Sequence, residues 1–91
     1  MKRCHVHLTG QVQGRGLRAS CRLKAWWLGL GGWVRNESDG TVSLEIEGSD
    51  DKISRFIEWL KVGPGTARVD RVEINDIPAT GSKNFAIIYK K

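Results

Sequence analysis

The first thirty residues carry a strand pattern, a glycine-rich stretch and a helix pattern in direct succession. Residues 3–9 alternate between apolar and polar side chains, which is the period-two pattern of a half-buried strand. From Leu17 onward the apolar residues recur at helical spacing, and Gly29 follows as a helix terminator. The sequence therefore predicts a strand that turns through three glycines directly into an amphipathic helix.

The remainder of the chain adds a hairpin, a second helix and two further strands. Two extended runs flank Asp39-Gly40, a strong hairpin signal. A second helix begins at the caps Ser49 and Asp50 and ends near Gly63. The last two extended runs are residues 67–77 and residues 84–91. This order predicts an α+β fold of the ferredoxin-like α/β sandwich type: a split βαβ unit whose antiparallel sheet carries both helices on one face.

Length and composition limit the functions that the chain can have. Its 91 residues, 40% of them hydrophobic, are enough for one compact domain over residues 1–91. A net charge of +5 favours an anionic partner. Two cysteines and two histidines cannot supply a zinc array at the usual spacing. No apolar run approaches the roughly 20 residues of a membrane span, so we expect a soluble, cytoplasmic protein that does not bind membranes.

The glycine-rich stretch "QVQGRGLR", residues 11–18, has two interpretations. Its glycines can simply accept positive φ in a turn, or the loop and the helix N-terminus can hold an anion such as phosphate. A dinucleotide site needs a longer, doubly wound sheet, and a P-loop needs a lysine that is missing here. Arg18 favours the anion, because a cation in the first helical turn opposes the helix dipole unless an anion lies between them.

Asn36 ends the extended run "GWVRN" and is the second candidate. Its amide can donate one hydrogen bond and accept another. Asparagine also commonly begins a turn, and both interpretations stay open for this residue taken alone.

The two stretches together resemble the acylphosphatase family, whose signature is G-x-V-Q-G-V-G-F-R followed by G-W-V-R-N and D-G. This chain has "GQVQGRGLR", then "LGL", "GWVRN" and "DG" at matching spacing. The resemblance extends over essentially the whole chain. The ferredoxin-like fold predicted above is also similar to the fold of this family.

The resemblance implies hydrolysis of the carboxyl-phosphate bond of small acyl phosphates, without a metal or an organic cofactor. It implies that Arg18 binds the phosphoryl group and that Asn36 positions the attacking water. It also implies that backbone N–H groups of the loop bind phosphoryl oxygens, from residues Gln13, Gly14, Arg15, Gly16 and Leu17. We expect a monomeric enzyme of this kind.

Two positions depart from the family signature, where Arg15 replaces valine and Leu17 replaces phenylalanine. Leu17 is interpreted as a smaller core residue. Arg15 can lie in solvent, act as a second phosphate ligand, or occupy the anion site and weaken substrate binding. The alternative function is therefore a catalytically weak or silent module of the same fold that binds phosphate or carbamoyl phosphate. Nucleic-acid binding of the RRM type is disfavoured because no RNP1 motif is present.

The remaining polar and aromatic candidates have mainly structural interpretations. Cys4 and Cys21 fall on apolar faces and are predicted to be core residues, with a disulfide between them as the alternative. His5 and His7 are predicted to lie on the surface. The four tryptophans predict either a partly exposed patch or packing at the edge of the core; they are Trp26, Trp27, Trp33 and Trp59.

Overall fold

The computed structural model describes residues 1–89, and its elements follow the predicted order. They are β1 (Lys2–Gln11), α1 (Leu17–Leu28), β2 (Gly31–Asn36), β3 (Val42–Gly48), α2 (Asp50–Val62), β4 (Arg68–Ile77) and β5 (Phe85–Ile87). Both predicted helices are confirmed, with Gly29 ending α1 and the Ser49 side chain accepting a hydrogen bond from the Lys52 N–H at the start of α2. The predicted last strand is shorter than expected, and its residues 90–91 lie outside the described residues.

The five strands form one sheet in the order β4-β1-β3-β2-β5. Strand β1 is antiparallel to β3 and β4, and β2 is antiparallel to β3. The ferredoxin-like fold class is thus confirmed, and β5 corrects the expectation of a wholly antiparallel sheet because it is parallel to β2. The chain leaves β4 at one edge and returns at the opposite edge, where β5 adds to β2 and places the segment after it beside α1.

The core lies between one face of the sheet and the two helices. The predicted stripe of α1 is buried, and it comprises Leu17, Cys21, Ala25 and Leu28. Phe56 of α2 is fully buried against them in the same cluster as the apolar side chains of β1 and β3. Cys4 and Cys21 are buried free thiols in this core, as predicted, and burial raises the pKa of Cys21 to about 12.

The opposite face of the sheet carries a buried ion-pair network. Arg3 on β1 lies 2.9 Å from the Glu45 carboxylate and 3.0 Å from that of Glu47 on β3. Glu47 also accepts hydrogen bonds from the N–H groups of Thr80 at 2.8 Å and Gly81 at 2.7 Å. The Thr80 N–H is the main cause that lowers the pKa of Glu47, to about 2, against the opposing effect of burial. The segment that precedes β5 is therefore fixed to the centre of the sheet.

The histidines and tryptophans singled out in the sequence lie in different environments. His5 and His7 are half-buried on the outer sheet face, with hydrogen bonds to Glu45 and Ser43. Trp59 packs against Phe56 with ring centroids 5.4 Å apart, whereas Trp26 and Trp27 of α1 are 74% and 75% exposed. No helix within residues 1–89 is long and apolar enough to cross a membrane.

Candidate active site

The loop between β1 and α1, called here the glycine loop (residues 12–16), is held in a conformation that requires glycine. Gly14 and Gly16 both have φ of 71°, in the left-handed region that costs other residues about 1–2 kcal/mol. A Cβ added at either position would meet nothing within 4 Å. Backbone conformation, rather than space, therefore explains these two glycines, and it turns the chain sharply on both sides of Arg15.

Helix α1 begins at this loop with its first N–H groups free of a side-chain cap. Gly16 is the N-cap and has no side chain that could accept a hydrogen bond from the helix N–H groups, and within the described chain no acidic residue lies in the first turn. Uncapped N–H groups and the positive end of the helix dipole both attract an anion. Arg18 stands in the same turn and adds a full positive charge, so this end of α1 is strongly favourable for a phosphoryl group.

Asn36 is the last residue of β2 and lies half-buried where the β2–β3 hairpin begins. The turn is closed by the Glu37 N–H, which donates to the Thr41 carbonyl at 2.9 Å. Asp39 accepts hydrogen bonds from the hydroxyl and the N–H of Thr41, and these lower the pKa of its carboxyl group. The hairpin predicted at Asp39-Gly40 is confirmed, and it fixes the position of Asn36.

The side chain of Gln13 joins the glycine loop to this hairpin. Its Nε2 donates to the Glu37 carbonyl at 2.7 Å and to the Thr41 carbonyl at 2.8 Å. The sequence predicted Gln13 only as a loop residue that contributes to phosphate binding. The cross-link was missed because its partners are distant in sequence and are backbone atoms, which leave no signal in residue identity.

A small cavity of about 150 Å³ lies where the loop, the start of α1 and the end of β2 meet. Arg18 and Asn36 both line it, together with Gly14 and Gly16 of the glycine loop. The two predicted catalytic side chains thus come from different elements and face one volume. Buried Val12 and Leu17 also line it, so apolar core side chains and the polar residues Arg18 and Asn36 border the same volume.

Tyr89 also lines this cavity and was not predicted from the sequence. The Arg18 guanidinium carbon lies 5.1 Å from the centroid of the Tyr89 ring, within the range of a cation–π contact. This contact limits the positions that the guanidinium can take. Tyr89 reaches the site only because β5 pairs beside β2, which the sequence did not reveal.

The two departures from the family signature have separate positions. Leu17 is 2% exposed in the core, which confirms that it is a core residue. Arg15 is exposed, and its Nη2 donates to the Gln11 side-chain oxygen at 2.9 Å. Of the three positions considered for the Arg15 side chain, this one corresponds to the solvent-exposed alternative.

Comparison with known proteins assigns the family. The family model described as acylphosphatase matches residues 4–87. The chain belongs to the acylphosphatase family. It is 43% identical over 89 residues to an acylphosphatase of Methylococcus capsulatus, and the match covers 97% of each chain.

Solved structures agree with this assignment. The acylphosphatase of Bacillus subtilis superposes with a TM-score of 0.93 at 30% identity, over 98% of this chain and 100% of that one. An acylphosphatase from Coxiella burnetii superposes with a TM-score of 0.91 at 39% identity, over 96% and 92% of the two chains. The β1–glycine loop–α1 arrangement described above thus belongs to a known acylphosphatase architecture.

Proposed function

We propose that this acylphosphatase hydrolyses small acyl phosphates to a carboxylate and inorganic phosphate in the cavity lined by Arg18 and Asn36. The observation that carries the proposal is the convergence of these two side chains with Gly14 and Gly16 on one volume of about 150 Å³. A cation, uncapped N–H groups and a neutral amide together suit the three needs of the reaction, which are to bind a dianion, to neutralise its charge and to place one water.

Arg18 and the loop bind the phosphoryl group in this proposal. A planar guanidinium can grip two phosphoryl oxygens at once. The N–H groups of residues 13–17 supply further donors, so Gln13, Arg15 and Leu17 contribute backbone atoms. The Arg15 side chain, which hydrogen-bonds to Gln11, leaves the loop open for the substrate.

Asn36 positions the attacking water opposite the acyl oxygen. The water oxygen forms a bond to phosphorus while the bond from phosphorus to the acyl oxygen breaks, and its electron pair leaves with the carboxylate. Since an amide cannot take a proton, a phosphoryl oxygen of the substrate accepts the proton of the water, and the products are a carboxylate and dihydrogen phosphate. Positioning and charge stabilisation are sufficient for catalysis because the leaving group is already good.

The proposal extends to a single-domain, monomeric enzyme of the cytoplasm without a metal or an organic cofactor. All the proposed catalytic groups come from one chain, so a second copy is not needed to complete the site. The two buried free thiols suit a reducing compartment. Light scattering of the purified protein tests the monomer, and a dimer mass would refute it.

The experiment that tests the activity is hydrolysis of benzoyl phosphate in excess EDTA. We expect turnover in the unmodified protein, loss of turnover and of phosphate binding in Arg18→Ala, and loss of turnover with phosphate affinity retained in Asn36→Ala. Arg55→Ala, which removes an exposed arginine of α2, is the matched control and should remain active. Phosphate binding without any turnover would instead favour the silent anion-binding module.

A further inference from the structure

A second, larger cavity lies along α1, and it shares two lining residues with the catalytic cavity. This α1 groove has a volume of about 880 Å³ and lies between α1, with Arg22, Leu23 and Trp26, and the segment of Lys83 and Phe85. Ala19 and Ile87 line both the catalytic cavity and the α1 groove. A molecule whose phosphoryl group lies at Arg18 can therefore extend past Ala19 into the groove without leaving the protein surface.

One wall of the groove is a single face of α1. Ala19, Arg22, Leu23 and Trp26 follow the i, i+3, i+4, i+7 spacing that places side chains on one side of a helix. Leu23 is 67% exposed and Trp26 is 74% exposed, so two large apolar side chains remain uncovered directly beside the proposed site. From Ala19 to Trp26 the wall is about 10 Å long, at about 1.5 Å per residue.

Hydrogen bonds hold the opposite wall of the groove, which is the segment of Lys83 and Phe85, in place. The Gly32 N–H donates to the Asn84 carbonyl at 2.9 Å, and Glu47 holds Thr80 and Gly81 a few residues earlier. Lys83 lies between these two attachments. The groove therefore has a defined width before any ligand enters, which reduces the entropic cost of binding.

The charge of the groove is positive. Arg22 and Lys83 are the charged residues that line it, and no acidic side chain contributes to its lining within residues 1–89. Neither of these two cations forms an ion pair with any residue in the described part of the chain. The groove thus offers an apolar surface and two available positive charges.

We propose that the α1 groove binds the acyl part of the substrate, and that the enzyme prefers acyl phosphates whose acyl chain is apolar and ends in an anionic group. This inference rests on the proposed function. The apolar chain lies against Leu23 and Trp26, and Arg22 and Lys83 bind the terminal anion. Arg22 lies about 6 Å further along the helix axis than Arg18, which fits an acyl chain of several carbons and excludes an acetyl group from these contacts.

The test compares kcat/KM for acetyl, hexanoyl and adipoyl phosphate, of which the last two differ only in a terminal carboxylate. We expect kcat/KM to rise in that order. Arg22→Gln and Lys83→Gln should each lower kcat/KM for adipoyl phosphate about two- to fivefold, the range of exposed ion pairs, and leave the value for acetyl phosphate unchanged. Trp26→Ala should lower the value for hexanoyl phosphate, whereas Trp27→Ala, equally exposed but outside the groove lining, should not.

The two possible failures are distinct. Equal kcat/KM for the three substrates, or an equal effect of Trp26→Ala and Trp27→Ala, would overturn the acyl site while leaving acyl phosphate hydrolysis intact. Failure to hydrolyse any of the three would overturn the proposed function and this inference together.

Discussion

Replacement of Gln13 by alanine removes a side chain that joins the glycine loop to the β2–β3 hairpin by two hydrogen bonds. Both acceptors keep another donor after the change. The Gly40 N–H donates to the Glu37 carbonyl at 3.3 Å, and the Glu37 N–H donates to the Thr41 carbonyl at 2.9 Å. The substitution therefore leaves no carbonyl oxygen without a partner, and the full desolvation penalty does not apply.

The expected cost is the net value of two hydrogen bonds. At about 1 kcal/mol each, Gln13→Ala should lower the free energy of unfolding by about 2 kcal/mol. For a domain of this size that corresponds to a fall in Tm of about 8–16 °C. Asn36 directly precedes the hairpin turn, so release of the loop from the hairpin also changes the distance between Asn36 and Arg18. We therefore expect kcat to fall about tenfold or more.

The assay is urea unfolding of Gln13→Ala beside Gln11→Ala, combined with kinetics on benzoyl phosphate. Gln11 is a matched control because it is exposed and accepts a single hydrogen bond from the exposed Arg15. Its replacement should cost less than about 0.5 kcal/mol. Equal destabilisation of the two variants, or an unchanged kcat in Gln13→Ala, would refute the cross-link as the element that sets the site geometry.

Three further predictions concern the fold. Gly32→Ala should cost more than about 2 kcal/mol in urea unfolding, because φ is 134° and the new Cβ would meet the Glu45 carbonyl; a near-neutral effect would contradict this. The Glu47 carboxylate contributes its full stabilisation above its ordinary pKa of 4.5, and this contribution is lost as the pH falls towards about 2. The wild type should therefore lose more unfolding free energy between pH 5 and pH 2.5 than Glu47→Gln. Parallel curves of unfolding free energy against pH for the two proteins would refute this. Cys4 and Cys21, 1% and 0% exposed with raised pKa values, should resist a thiol reagent at pH 8 and react in urea, and rapid labelling of either in the native protein would be inconsistent with this burial.

The local sequence was sufficient where a short stretch fixes both the conformation and the buried face. The alternation in residues 3–9 gave β1, and the stripe from Leu17 gave the buried face of α1. Ser49 and Gly63 marked the ends of α2 because capping depends on residues within one turn of the helix end. The same local reasoning, from the conflict between its charge and the helix dipole, selected Arg18 as an anion ligand, and this role stays a prediction.

The contacts around Arg18 and Asn36 could not be predicted in this way, because they are made between residues distant in sequence. The sequence identifies Gln13 only as a loop residue, yet its side chain donates hydrogen bonds to two carbonyl groups of a hairpin more than twenty residues further along the chain. Tyr89 was predicted only as part of the last extended run, yet its ring contacts the Arg18 guanidinium. Neither contact follows from residue type or spacing, since backbone acceptors and ring contacts carry no pattern.

The sequence by itself thus determined the order of elements, the core face of β1, β3 and both helices, and the glycine loop before α1, because hydrophobic periodicity, caps and turns act over a few residues. Only the tertiary structure decided that β5 runs parallel to β2, that Arg18 and Asn36 line one cavity, and that Ala19 and Ile87 line both this cavity and the α1 groove. The physical reason is that strand pairing between distant segments is selected by the packing of the whole sheet, in which many contacts form together and no single stretch specifies its partner.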